Sequence, residues 1–357
     1  MRPELSLYLD VVRFVAALVV FIAHFTLQRF SGGFLWPLNA LGHEAVTVFF
    51  VLSGFVIAYA TDGREKTLRD YTLNRCARMY SVVLPALVLT LLLDAAGRHW
   101  NPAPYGATPA DPWAMAWHLL SGLSFTNELW TLSVPQGSNT AYWSLGYEVP
   151  FYAIFGVALY TPARWRAAAV GLAVLVVGPS IAIALPVWLA GVAAYRFTRR
   201  GGLTPQQGVL VFLAASVAWG VYELIALKWG RPLLDATALF KRKEIIQDYI
   251  VCALFTAQLI GFHAAAPALG GWLLPHARTI RWLAGATFTL YLCHMPVAQF
   301  LAAISPWPLA DPRSRIWVFA GTLLAIFAIA EFTERRKPAW RRIFEAAWPK
   351  RKTVNQT

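Results

Sequence analysis

The chain has 357 residues, 58% of them hydrophobic and 14% charged, with a mean hydropathy of +0.51. Soluble domains are nearer one quarter charged, so a water-soluble enzyme is excluded and an all-α, polytopic membrane protein is predicted. A net charge of +13 raises the question of nucleic acid, but the Lys and Arg sit beside apolar windows and form no single patch, which excludes that class.

The first element, Leu5 to Phe25, is apolar and long enough to span, yet carries Asp10, Arg13 and His24. Eleven residues at about 100° each bring Arg13 and His24 onto one helix face, roughly 16 Å apart along the axis. Asp10 lies three residues before Arg13, a pairing distance. Charges inside a span are costly and face protein or a wet cavity, so this stripe predicts a polar track. One preceding Arg and no small-residue cleavage site mark the span as retained.

About ten spans are expected, near 7–28, 43–60, 76–96, 142–161, 166–185, 186–198, 206–227, 246–266, 283–304 and 314–333. The run from Ala167 to Tyr195 is too long for one span and short for two, and Gly178-Pro179 and Pro186 interrupt it, which predicts a half-helix. Trp113 to Phe125 reads as an interfacial helix within the proline-rich stretch 97–141. Residues 1–337 form the membrane domain, and 338–357 read as a basic amphipathic tail on the inner leaflet, with Trp340, Ile343, Phe344, Ala347 and Trp348 on one face.

Lys and Arg fix the orientation. With the N-terminus cytoplasmic, twenty-one fall inside and nine outside, which predicts N-in, C-in. Lys228, Arg231, Lys241, Arg242 and Lys243 dissent; a miscounted span or a basic outer surface facing an anionic acceptor would account for them.

His24 is the first candidate for chemistry, as a general base. Its structural alternative is a histidine packed and satisfied between helices. Glu148 lies at a similar depth in the fourth span and is placed to orient the imidazole. Arg75 and Arg78 share a helix face where the inner loop enters the third span, which suits phosphate binding as well as positive-inside anchoring. His43 and Glu44 open the second span at its outer edge, where an acceptor would enter. His294 precedes Pro296, which frees a backbone carbonyl, so ligand contact and structural bonding both fit. Ser53-Gly54 reads as a close helix contact. Glu223 and Glu331 receive no role. Cys76, Cys252 and Cys293 show neither CxxC spacing nor a His cluster, so no metal site is expected.

Together these stretches resemble the acyltransferase-3 family of integral-membrane acyltransferases. The resemblance rests on LDVVRFVAALVVFIAH, FFVLSGF, NRCARMY, WSLGYE, YLCHMPV and EFTERRKP, in family order across nearly the whole chain. It implies an acyl-CoA donor, usually acetyl-CoA, presented from the cytoplasm, and a hydroxyl of a glycan or glycoconjugate met at the outer side of the cytoplasmic (inner) membrane. On the matching positions His24 would be the catalytic histidine, Arg13 its partner along the donor channel, Arg75 and Arg78 the phosphate holders, and Glu148 a support. Two departures stand out: Thr47 replaces an aspartate common before the FF pair, and Met79-Tyr80-Ser81 follow the second arginine where a proline is usual. The competing reading is a transporter or flippase with a charge relay, against which the lack of an inverted repeat argues. Labelled acetyl-CoA turnover against vesicle transport separates the two.

Overall fold

The computed structural model describes residues 1–105, 111–233 and 241–349. Among these the fold is all-helical; an isolated bridge between Gln136 and Asn139 is the extent of β pairing. The long helices are α1 (Pro3–Phe25), α2 (Leu41–Gly63), α3 (Leu68–Trp100), α4 (Leu145–Tyr160), α5 (Ala163–Val177), α6 (Pro179–Arg199), α7 (Pro205–Trp229), α8 (Ile245–Gly270), α9 (Thr287–Ala303), α10 (Pro312–Phe332) and the tail helix α11 (Lys337–Ala347). Seven described stretches, beginning at Pro3, Trp36, Leu68, Pro179, Pro205, Ile245 and Pro312, are long and apolar enough to cross a membrane. The protein is therefore a multi-pass membrane protein. A shorter helix, Pro112–Leu123, lies in the proline-rich stretch close to where the sequence placed it.

Inside lipid the apolar effect does not drive helices together, so close backbone approach matters more. The crossing of α2 and α6 shows it. A Cβ added at Gly54 would meet the Trp188 carbonyl at 2.0 Å, and one at Gly191 would meet the Val51 carbonyl at 1.9 Å. The small residues of VLSGF thus set the distance between the two helices.

The interruption between α5 and α6 differs from expectation. The chain breaks at Gly178, with φ of 86°, and Pro179 opens α6, while Pro186 lies within it. The break falls at Gly178 and not at Pro186, leaving α5 with 15 residues and α6 with 21. The reason lies in a loop distant in sequence: Trp130 N–H donates to the Val177 carbonyl (3.2 Å), and its Cα would sit 2.8 Å from a Cβ at residue 178. Proline at a helix start loses no bond, so Pro179 is well suited to begin α6.

Both described ends of the chain lie at one end of the bundle. The Met1 ammonium donates to Tyr59 Oη near the end of α2 (3.1 Å), and Arg69 Nε at the start of α3 donates to the Trp348 carbonyl (2.7 Å). The tail helix packs on α3, where Arg341 Nη1 donates to Asn74 Oδ1 (2.8 Å) and the Phe344 ring lies 5.9 Å from Tyr80. The dissenting basic stretch sits at the opposite end. There Arg231 pairs with Glu44 (2.8 Å) and Glu223 (2.6 Å), and Lys241 with Glu128 (2.9 Å). Arg242 pairs with Asp248 in the same region, so three of the five cations are held by carboxylates of the bundle. At the centre, α1 is enclosed by α2, α8, α9 and the short helix Ala277–Ala284.

Candidate active site

Two polar assemblies lie along the α1 stripe. The first is a cavity with an empty volume of about 670 Å³, reached by Arg13, Ser53, Arg78, Ser144, Glu148, Tyr291 and Glu334 among its lining residues. Arg13 keeps only a loose pair with Asp10, at 3.9 Å. Arg78 makes no close ion pair among the described residues, although Glu148 and Glu334 line the same cavity. Two cations facing one cavity without tight anionic partners form an anion-binding arrangement, and planar guanidinium forks match phosphate oxygens.

Glu148 is held by hydroxyls. Its Oε1 accepts from Ser53 Oγ (2.8 Å) and from Tyr152 Oη, and those two hydroxyls are themselves 3.0 Å apart. Glu148 is expected from the sequence to orient His24; its hydrogen-bond partners are these hydroxyls. Equal depth along two helices says nothing about which way the side chains turn, and Glu148 turns toward α2. Ser53, read as a packing residue, also belongs to this network. Gly54 keeps the packing role.

The two arginines of NRCARMY diverge. Arg78 enters the cavity, whereas Arg75 pairs with Glu65 and lies over the rings of Tyr71 (4.9 Å) and Tyr152 (5.8 Å). Glu65 sits in the turn just before α3 and draws Arg75 sideways. The missing proline after Arg78 has no visible cost, since α3 runs on through Pro85.

The second assembly is at the far end of α1. His294 Nδ1 lies 2.9 Å from the Leu290 carbonyl, and its Nε2 lies 3.0 Å from His24 Nδ1. His24 Nδ1 is also 3.0 Å from the Val20 carbonyl. A carbonyl can only accept, so His294 carries its proton on Nδ1 and presents a bare Nε2. His24 therefore holds its own proton on Nδ1, shared between two acceptors, and its Nε2 lone pair is left for chemistry. His294 is fully buried, with Phe21 edge-on to it at 5.8 Å. The carbonyl freed by Pro296 belongs to Leu292, and it is taken by Asn139 Nδ2 (2.8 Å), not by His294. His294 is thus neighbour to the proposed base.

The remaining candidates are tied into the bundle. His43 Nε2 is 3.0 Å from Asp248 Oδ1, and Thr47 Oγ1 donates to the same oxygen (2.5 Å). Asp248 on α8 thus supplies the carboxylate at the place where Thr47 departs from the family pattern. Glu44 is buried and accepts from Arg231 Nε (2.8 Å) and Gln247 Nε2 (2.9 Å). Asp10 lies 3.9 Å from Arg13, one helical turn before it. Sequence reasoning missed Asp248, Tyr152 and Glu334, and met Arg242 only as one of the dissenting cations. Asp248, an acid within an apolar window, was the detectable one. Glu334 in EFTERRKP uses Oε2 to accept from the N–H groups of Phe288 (2.8 Å) and Thr289 (3.1 Å), capping the start of the helix that carries His294. Glu331 pairs with Arg335. Among the described residues no cluster of His, Cys, Asp or Glu could hold a metal.

The geometry can be set beside known proteins. The family model described as an acyltransferase domain, that of the acyltransferase-3 family, matches residues 6–331. The chain belongs to this family. It is also similar to the exopolysaccharide production protein ExoZ of Rhizobium meliloti (strain 1021), with 30% identity over 152 residues, 40% of this chain and 43% of ExoZ. A similar likeness is to the acyltransferase MdmB of Streptomyces mycarofaciens, 29% identical over 150 residues, 40% of this chain and 36% of MdmB. The chain therefore spans less than half the length of each of these curated relatives. No solved structure matches it.

Proposed function

We propose that this membrane acyltransferase moves an acyl group, acetyl by default, from cytoplasmic acyl-CoA to a hydroxyl of a glycan or glycoconjugate at the outer side of the cytoplasmic membrane. The reading takes the ten long helices α1 to α10 as spans, with both described ends cytoplasmic, in keeping with the Lys and Arg bias. The observation that carries it is the His24–His294 contact at 3.0 Å, on the same helix face as Arg13.

In the proposed reaction His24 Nε2 takes the proton of the acceptor hydroxyl as its oxygen attacks the thioester carbonyl. The tetrahedral intermediate then expels the CoA thiolate, which takes the proton back from the imidazolium, leaving ester, free thiol and neutral His24. Base assistance of this kind contributes about 10²–10⁴-fold. Arg13 and Arg78 hold the donor's phosphates and so supply position, the other large source of rate. ExoZ, named for exopolysaccharide production, supports a glycan acceptor. Purified protein supplied with radiolabelled acetyl-CoA and a glycan acceptor should release free CoA and label the acceptor, and His24→Ala should do neither.

A further inference from the structure

At the end of the bundle opposite both described chain ends, an open cavity of about 940 Å³ is lined by His43, Asn139, Trp143, Tyr147, Lys241 and Arg242, with Glu128 and Glu244 beside them. Two features set its character. Its two cations are already paired, Lys241 Nζ donating to Glu128 Oε2 (2.9 Å) and Arg242 Nη2 to Asp248 Oδ2, and Glu244 adds a further carboxylate. Its polar capacity, by contrast, is unfilled. Asn139 Oδ1 and the Nε and Nη1 of Arg242 are buried without a hydrogen-bond partner among the described residues. Buried polar atoms are almost always satisfied; these lie within the cavity wall with almost no accessible surface, and a polar occupant would reach them through a small shift of Arg242 or Asn139.

The aromatic share points the same way. Arg242 lies 5.1 Å from the Trp143 ring and 5.3 Å from Tyr147, and the His43 ring is nearly parallel to Trp143 (7°). Trp143 itself is half-buried. Aromatic surface with a few fixed donors and acceptors suits a ring that has one apolar face and a hydroxylated edge. The rim is braced, since Asp94 on α3 accepts from Ser138 N–H (2.8 Å) and Oγ (2.5 Å). The wall is also joined to the proposed reaction centre: Asn139 Nδ2 donates to the Leu292 carbonyl, two residues before His294.

The geometry points to this cavity as the binding site of a neutral, hydroxyl-rich sugar unit, which makes the acceptor of the proposed reaction uncharged at the ring that docks. This rests on the acyltransferase reading and narrows it. An anionic ring would bring a carboxylate beside Glu128 and Glu244 in a site whose two cations are already paired, and like charges at close range repel. The basic stretch near Lys241 is therefore an internal scaffold and not an attractor for acidic glycans.

The test is binding without donor, so that it does not depend on turnover. Purified protein in nanodiscs is titrated with p-nitrophenyl β-D-glucopyranoside and with p-nitrophenyl β-D-glucuronide, which differ by one carboxylate, and binding is read by saturation-transfer NMR. The glucopyranoside should bind at least about tenfold more tightly. Thr140→Trp, placed at the exposed rim, should weaken that binding by a similar factor, with the elution profile reporting folding. Trp143→Phe serves as a second variant if the first misfolds, and should lose several-fold. Equal or stronger glucuronide binding, no binding of either probe, or binding unchanged in the folded variants would overturn the assignment. Acetyl-CoA turnover by the wild type is scored separately; its failure would remove the enzymatic reading and leave the binding result standing.

Discussion

His294 Nε2 accepts from His24 Nδ1 at 3.0 Å while His294 Nδ1 donates to the Leu290 carbonyl at 2.9 Å, so a backbone oxygen fixes the proton of one ring and, through it, that of the other. The relay makes His294 a positioning residue. His294→Leu should lower kcat for acyl transfer about tenfold, the worth of one hydrogen bond, with donor KM unchanged. His294→Gln, which keeps an acceptor, should recover much of it. A steady-state comparison of both variants checks this, and equal loss in the two would remove the relay.

Arg78 and Arg75 should separate in experiment. Arg78 faces the cavity without an ion pair, so Arg78→Ala should weaken CoA binding by about 10–100-fold, the range for hydrogen bonds to charged groups. Arg75→Ala should act mainly on stability, because it leaves the buried carboxylate of Glu65 without a cation and with Asn74 as its remaining donor, a loss of up to about 3–5 kcal/mol. Calorimetric titration with CoA and thermal melting in detergent distinguish the two effects. Equal weakening of CoA by both variants would return Arg75 to the donor site.

Arg13→Lys keeps the charge and loses the planar fork. If Arg13 grips phosphate with both nitrogens, the donor KM should rise about tenfold. An unchanged donor KM would remove that role.

Glu334 caps the helix that carries His294. Glu334→Ala should cost about 0.5–2 kcal/mol, as other lost caps do. A fall in Tm accompanied by a fall in kcat is expected from parallel melting and activity measurements on the same preparation.

Gly191 has no room for a side chain against Val51, so Gly191→Leu should prevent folding where Gly171→Leu, at a helix position with open space, should not. Fluorescence-detected size exclusion of the two variants reads the difference directly.

Much of the fold was legible because helix length and apolarity are local properties. The α1 stripe was legible too, since Arg13 and His24 lie on one rigid helix and their relation follows from rotation alone. What failed was lateral. The bend at Gly178 is set by Trp130, nearly fifty residues away in the chain, so Pro186 looked equally good as the breaking point. Glu148 had the right depth to serve His24, but depth leaves the direction of the side chain open, and it is His294 on α9 that meets the ring. Arg75 and Arg78 share a helix face, yet a nearby Glu65 turns one of them away. Pairings between helices carry no signature in the helices themselves, and Asp248 with Arg242 is the clearest case.

The central claim is that the free imidazole nitrogen of residue 24 deprotonates the acceptor during transfer from CoA. Purified wild-type protein and His24→Ala, matched for elution profile and for CoA binding, should be given radiolabelled acetyl-CoA with a glycan acceptor. The account predicts acceptor labelling by the wild type and a loss of about 10²–10⁴-fold or more in the variant. Labelling at the wild-type rate by a folded, CoA-binding His24→Ala protein would contradict it.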